Sequence, residues 1–172
     1  MKIVSAAILV VFVPFTTANA QFEAGREASY SCAAAASGGI IYDEETRKWT
    51  GTAFRASLEF ALRVRFLGTH AGKSITGLDQ TFYDFNITIT PKGSNFPIRC
   101  YREFDTPVSA TRDNSVLECY ADHLYRINLK TNRFLAARLD GYLDGNNNND
   151  RAALVSGGTC LASMQLWRWL PE

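Results

Sequence analysis

Four cysteines, Cys32, Cys100, Cys119 and Cys160, and two histidines, His70 and His123, are the side chains with the widest chemistry in this chain. Zinc would use cysteines in short C-x-x-C spacings or histidines a few residues apart. Neither pattern occurs, so no metal and no cofactor is expected. An even cysteine count instead fits two disulfides in an oxidising compartment. Three connectivities are open to four cysteines. The expected one joins Cys100 to Cys119, tying neighbouring strands, and Cys32 to Cys160, tying the first strand to the last.

Nucleophilic catalysis finds little support. Gly-x-Ser-x-Gly is absent, and no serine is singled out by its neighbours. His123 follows Asp122 directly, and adjacent strand residues point to opposite faces. His70 falls in a glycine-containing stretch that reads as a loop. Leu67-Gly68-Thr69-His70-Ala71-Gly72-Lys73-Ser74 approaches a phosphate-binding loop, but three residues separate its glycines where that motif needs four. Glu44-Glu45 and the pair Asp140 and Asp144 supply carboxylates for glycoside hydrolysis only if the fold sets them across a cleft. No catalytic residue is therefore assigned.

Binding chemistry is better represented. Asp144-Gly145-Asn146-Asn147-Asn148-Asn149-Asp150 places oxygens at alternate positions, as calcium loops do. The EF-hand glycine and glutamate fall on Asn149 and Val155 instead, and an Asx-rich turn explains the run equally well. Arg63 and Arg65 share the outward face of a strand, and Arg99, Arg126 and Arg138 are expected on similar faces. Guanidinium forks suit carboxylate, phosphate or sulfate groups. Trp167 and Trp169 flank Arg168 and would stack on a sugar or close the core. Arg63, Arg65, Trp167 and Trp169 form the expected ligand patch. Asn86-Ile87-Thr88 is a glycosylation sequon with Asn86 on the outward parity.

The elements that must position these residues follow a signal. Met1-Lys2, an apolar run from Ile3 to Phe15 and Ala18-Asn19-Ala20 read as a signal peptide over residues 1–20. The run is shorter than the roughly 20 apolar residues that span a bilayer. A single β-rich domain over 21–172 is expected, with no transmembrane segment after cleavage and a periplasmic or secreted location. The whole chain of 172 residues carries a formal net charge of +1, and Lys2 leaves with the signal. Neutrality argues against nucleic acid as a partner.

Period-2 alternation marks the strands. Glu59 to Leu67 puts Phe60, Leu62, Val64 and Phe66 on one face. Phe82 to Thr90 puts Phe85, Ile87 and Ile89 together. Val116 to Tyr120, Leu124 to Asn128 and Phe134 to Tyr142 follow, with a polar turn over 128–133. Weaker strands are Tyr30 to Ala35, Trp49 to Phe54, Ile98 to Arg102 and Ala153 to Ser156. Loops are expected at Ser37-Gly38-Gly39, Gly68 to Asp79, 92–95, 107–114 and 145–150. The fold class is all-β: a small antiparallel barrel or sandwich of about eight strands, tied by disulfides.

Tyr125 to Phe134, Gly141-Tyr142-Leu143-Asp144-Gly145, the Asn/Asp-rich turn, Gly158-Thr159-Cys160 and the front Tyr30-Ser31-Cys32 resemble small, uncharacterised exported proteins of alphaproteobacteria. Gly39, Tyr42-Asp43 and Trp49 extend that likeness. It implies a Gram-negative periplasm, where Asn86 would stay unmodified. The turn departs from the group at Arg151-Ala152, where Thr-Pro is expected. More distantly, the Tyr-x-Cys strand is similar to that of periplasmic inhibitors of c-type lysozyme, which are small disulfide-tied β-barrels. Together these features imply a non-enzymatic binding or accessory protein, inhibitor-like in role. Its partner would be an envelope protein or an acidic glycan. The alternative is a hydrolase of cell-wall or polysaccharide material, working through carboxylates or His123.

Overall fold

The computed structural model describes residues 26–74, 76–102, 106–111, 115–143, 147, 149 and 152–162. The expected signal peptide, Trp167, Trp169 and all of the Asx-rich turn except Asn147 and Asn149 lie outside those residues.

Among the described residues ten strands make one antiparallel sheet. They are β1 (Glu27–Asp43), β2 (Lys48–Phe54), β3 (Glu59–Lys73), β4 (Asp79–Pro91), β5 (Ile98–Cys100), β6 (Val108–Thr111), β7 (Val116–Tyr120), β8 (Leu124–Asn128), β9 (Arg133–Arg138) and β10 (Ala153–Ala162). A helical turn, α1 (Asp140–Leu143), follows β9. The order across the sheet is β5-β4-β3-β1-β10-β9-β8-β7, with β2 added to β1 and β6 to β4.

The alternating faces fold as their periodicity requires. Phe60, Leu62, Val64 and Phe66 are buried, and so are Phe85, Ile87 and Ile89. Each such side chain removed from water contributes about 1.5–3 kcal/mol. Phe60 of β3 packs edge-on against Tyr125 of β8 at 5.2 Å and Phe134 of β9 at 5.0 Å. Those strands are not sheet neighbours of β3, so the sheet curls to pack its inner face on itself.

The ladder does not close into a complete ring. Its end strands, β5 and β7, meet through the Cys100–Cys119 disulfide and one bridge, Tyr101 to Tyr120. That bridge is a reciprocal backbone pair, at 3.0 and 2.7 Å. The other disulfide, Cys32–Cys160, links residues directly opposite in the β1–β10 ladder. Both expected pairings form. The first and last strands are already hydrogen-bonded, however, so the bond that closes the seam is Cys100–Cys119.

Several strands outrun their expected lengths. β1 continues through Ser37-Gly38-Gly39, where a loop was expected, and Gly39 there serves close strand contact. A Cβ on Gly39 would sit 2.0 Å from the Ala153 carbonyl oxygen, and one on Gly158 would sit 2.1 Å from that of Ala33. β3 and β4 pair out to Lys73 and Asp79 past a bulge between Phe66 and Gly68. Part of the expected 107–114 loop is β6. In contrast, β9 stops at Arg138 and not at Tyr142, where the alternation fails and α1 begins. The 128–133 turn forms as expected. Asn128 Oδ1 accepts the N–H groups of Lys130 and Thr131, and Asn132 takes φ 54°.

Among the described residues no helix is long and apolar enough to cross a membrane.

Candidate functional site

One strand irregularity builds the most distinctive polar feature inside the sheet. Cys32 faces the core, and Ala34 packs against it. Between Ala34 and Ala36 the β1–β10 register shifts by one residue. A bulge of this kind re-aims the residues beyond it. Ser37 therefore takes the inward face, opposite Ser156 of β10. Their Oγ atoms lie 2.7 Å apart, and Ser156 is almost fully buried. Each hydroxyl offers one hydrogen and two lone pairs. A mutual bond uses one hydrogen and leaves the second, with spare lone pairs, for a third group.

These hydroxyls line a cavity of about 600 Å³, within the usual range for small-molecule sites. Phe54, Leu58, Pro91 and Leu154 give it apolar walls. Arg55, Glu59, Lys92 and His123 add polar groups. The backbone fixes this ring: Ala34 N–H donates to Leu58 O at 2.9 Å, and Lys92 N–H to Glu59 O at 2.9 Å. Lys92 Nζ also donates to Glu59 Oε2 at 2.6 Å, so these two charges offset each other. Arg55 is exposed and has no ion-pair or hydrogen-bond partner among the described residues.

His123 enters from the turn between β7 and β8. Strand alternation does not apply there, so Asp122 and His123 come together where opposite faces were expected. His123 Nδ1 lies 3.0 Å from Asp122 Oδ2, yet it is buried and off the line of a hydrogen bond. Asp122 Oδ1 accepts the Tyr125 hydroxyl at 2.9 Å. Burial, together with the Asp122 charge and that bond, pushes the Tyr125 pKa well above its ordinary value.

Arg138 corrects another expectation. It lies on the inward parity of β9, with buried Phe134 and Ala136, and pairs in register with Leu154 of the cavity wall. Its Nε is buried with no hydrogen-bond partner among the described residues. An unsatisfied buried donor of this kind is costly.

The residues expected to form a ligand patch are placed elsewhere. Arg63 and Arg65 stand on the outer face of β3, and Arg63 Nε is 3.0 Å from Glu27 Oε1. Arg99 and Arg126 are also exposed, Arg126 beside Glu118 at 3.0 Å. None of these four lines the cavity. Trp167 and Trp169 fall outside the described residues. Asn86 pairs in register with Arg65, but its Oδ1 is buried.

Two other clusters escaped sequence reading. His70 sits on β3, not in a loop, with Nδ1 2.7 Å from Asp84 Oδ2. Asp84 Oδ1 also accepts the Ser109 hydroxyl at 2.6 Å. The carboxylate stands between histidine and serine, so this is not a nucleophile–base pair. Tyr42, Trp49 and Tyr142 form a chain of rings at 5.6 and 5.2 Å. Asn149 ties to the same place: its Oδ1 accepts Tyr42 N–H at 2.7 Å and its Nδ2 donates to Tyr42 O at 2.8 Å. Aromatic residues far apart in sequence gave no common period to find. Among the described residues no three His, Cys, Asp or Glu side chains gather to hold a metal.

No protein-family profile, no curated protein and no solved structure matches this chain.

Proposed function

We propose that this protein is an exported, non-enzymatic binding protein whose ligand enters the cavity lined by Ser37, Ser156, His123 and Arg55. The observation that carries this reading is the inward-facing hydroxyl pair. The two serines bond to each other, and that one bond leaves a second hydroxyl hydrogen and spare lone pairs for a ligand in the cavity. Export is supported by the N-terminal pattern and by two disulfides, and the periplasm is the compartment proposed. An envelope glycan, or an envelope protein in an inhibitor-like complex, is the partner class. A neutral chain has no long-range field for nucleic acid.

Immobilised envelope glycans tested against the wild type and Ser37→Leu provide the experiment. Leucine at this half-buried position would occupy the cavity. Binding that disappears in the variant supports the reading, and binding that survives unchanged contradicts it.

A second reading, hydrolysis, is favoured by one observation: Asp122 and His123 adjoin a cavity that also holds Ser37 and Ser156. No hydrogen bond joins either serine to His123 among the described residues. The cavity holds one carboxylate, Glu59, already paired with Lys92, whereas glycoside hydrolysis needs two. Turnover of chromogenic esters or glycosides that His123→Ala abolishes would establish this reading in place of binding.

A further inference from the structure

We infer that the cavity's ligand is a sugar acid: a small polyhydroxylated ring bearing one carboxylate. The inference rests on the cavity being the binding site and goes on to name what fits there.

The charge is the first argument. Lys92 and Glu59 offset each other at 2.6 Å, which leaves Arg55 as the uncompensated charge among the described lining residues. Arginine offers a planar fork that matches a carboxylate through two parallel hydrogen bonds. One net positive charge balances one carboxylate. A phosphate monoester carries roughly −1.5 to −2 at neutral pH, and among the described lining residues there is no second free cation to meet it.

The hydroxyl pair and the apolar walls complete the fit. Ser37 and Ser156 share one hydrogen and keep both donor and acceptor capacity. Sugar hydroxyls need that mixture. Phe54 and Pro91 give an apolar surface suited to the C–H face of a ring. A fatty acid would use the carboxylate partner and waste the hydroxyls. A neutral sugar would leave Arg55 unused.

The test is calorimetric titration of the protein with glucuronate, glucose and glucose 6-phosphate, alongside Arg55→Gln. Arg55 is exposed, so its replacement should leave folding intact. The expected result is glucuronate binding at least tenfold tighter than glucose, with Arg55→Gln reducing glucuronate to the affinity of glucose. Equal binding of glucuronate and glucose overturns the sugar-acid inference and leaves the cavity as a binding site. Tighter binding of glucose 6-phosphate overturns the choice of carboxylate over phosphate. Failure of all three to bind overturns the inference together with the reading it rests on.

Discussion

Cys100 of β5 and Cys119 of β7 are bonded where the sheet's two end strands meet. Tyr101, just past the end of β5, and Tyr120, the last residue of β7, add a reciprocal backbone pair. Without these contacts β5 would be a free three-residue edge strand. The disulfide therefore holds the curl that packs Phe60 against Tyr125 and Phe134.

Replacing Cys100 and Cys119 by serine should cost about 3 kcal/mol on the loop-closure estimate for a sequence separation of 19. Hydrogen exchange should accelerate first in β5 and β7. Opening that begins in β1 and β10 would contradict the role given to this seam.

Gly39→Ala and Gly158→Ala should each destabilise by at least about 3 kcal/mol, near the upper range for overpacking. Backbone carbonyls stand at 2.0 and 2.1 Å from the added carbon and cannot turn aside as a side chain would. Gly51→Ala is the control, since nothing lies within 4 Å of its added carbon. Urea denaturation would compare the three, and equal midpoints would refute the close-approach argument.

Those glycines also mark where sequence reading stops. Alternating apolar residues in β3, β4, β7 and β8 reveal their strands because one face is core and the other solvent. Gly38-Gly39 reads as a turn, since glycine is common to turns and to tight strand contacts. The cavity was hidden for a related reason. Counting by two from Cys32 sends Ala36 inward and Ser37 outward, and only the bulge reverses them. Arg138 misled because an inward arginine is rare, and Asp122–His123 because three residues of turn replace a strand there. That the cysteines pair as disulfides was legible from their even number, whereas which pairs with which rested on the expected strand order.

Tyr125→Phe removes a buried hydroxyl bonded to Asp122. Its loss should cost about 1–2 kcal/mol at pH 7, the scale of a bond to a charged group whose other side meets water. The wild-type hydroxyl ionises less readily folded than unfolded. Its contribution is thus complete below the ordinary tyrosine pKa of 10.0 and is lost as pH rises beyond it. The stability gap between wild type and variant should narrow above pH 10. A gap constant from pH 7 to 11 would contradict this.

Asp43 closes the β1–β2 turn, its Oδ1 accepting N–H groups from Glu45 at 2.9 Å and Thr46 at 3.1 Å. Bonds from Thr46, with a lesser one from Glu45, hold its pKa below 3.8. Its support for the turn is therefore present above that value and fades as pH falls through the lower folded one. Amide shifts of Glu45 and Thr46 should move together in that acid range, and Asp43→Asn should abolish the movement. Persistence of the titration in the variant would assign it to another group.

The central claim is that the cavity holding Ser37 and Ser156 receives the ligand. Amide chemical-shift mapping during titration with glucuronate addresses it directly. The account predicts perturbations centred on Ser37, Arg55, His123 and Ser156, with little change at Arg63 and Arg65 on the outer face of β3. Perturbations centred on Arg63 and Arg65, or none at the cavity at saturating glucuronate, would contradict it.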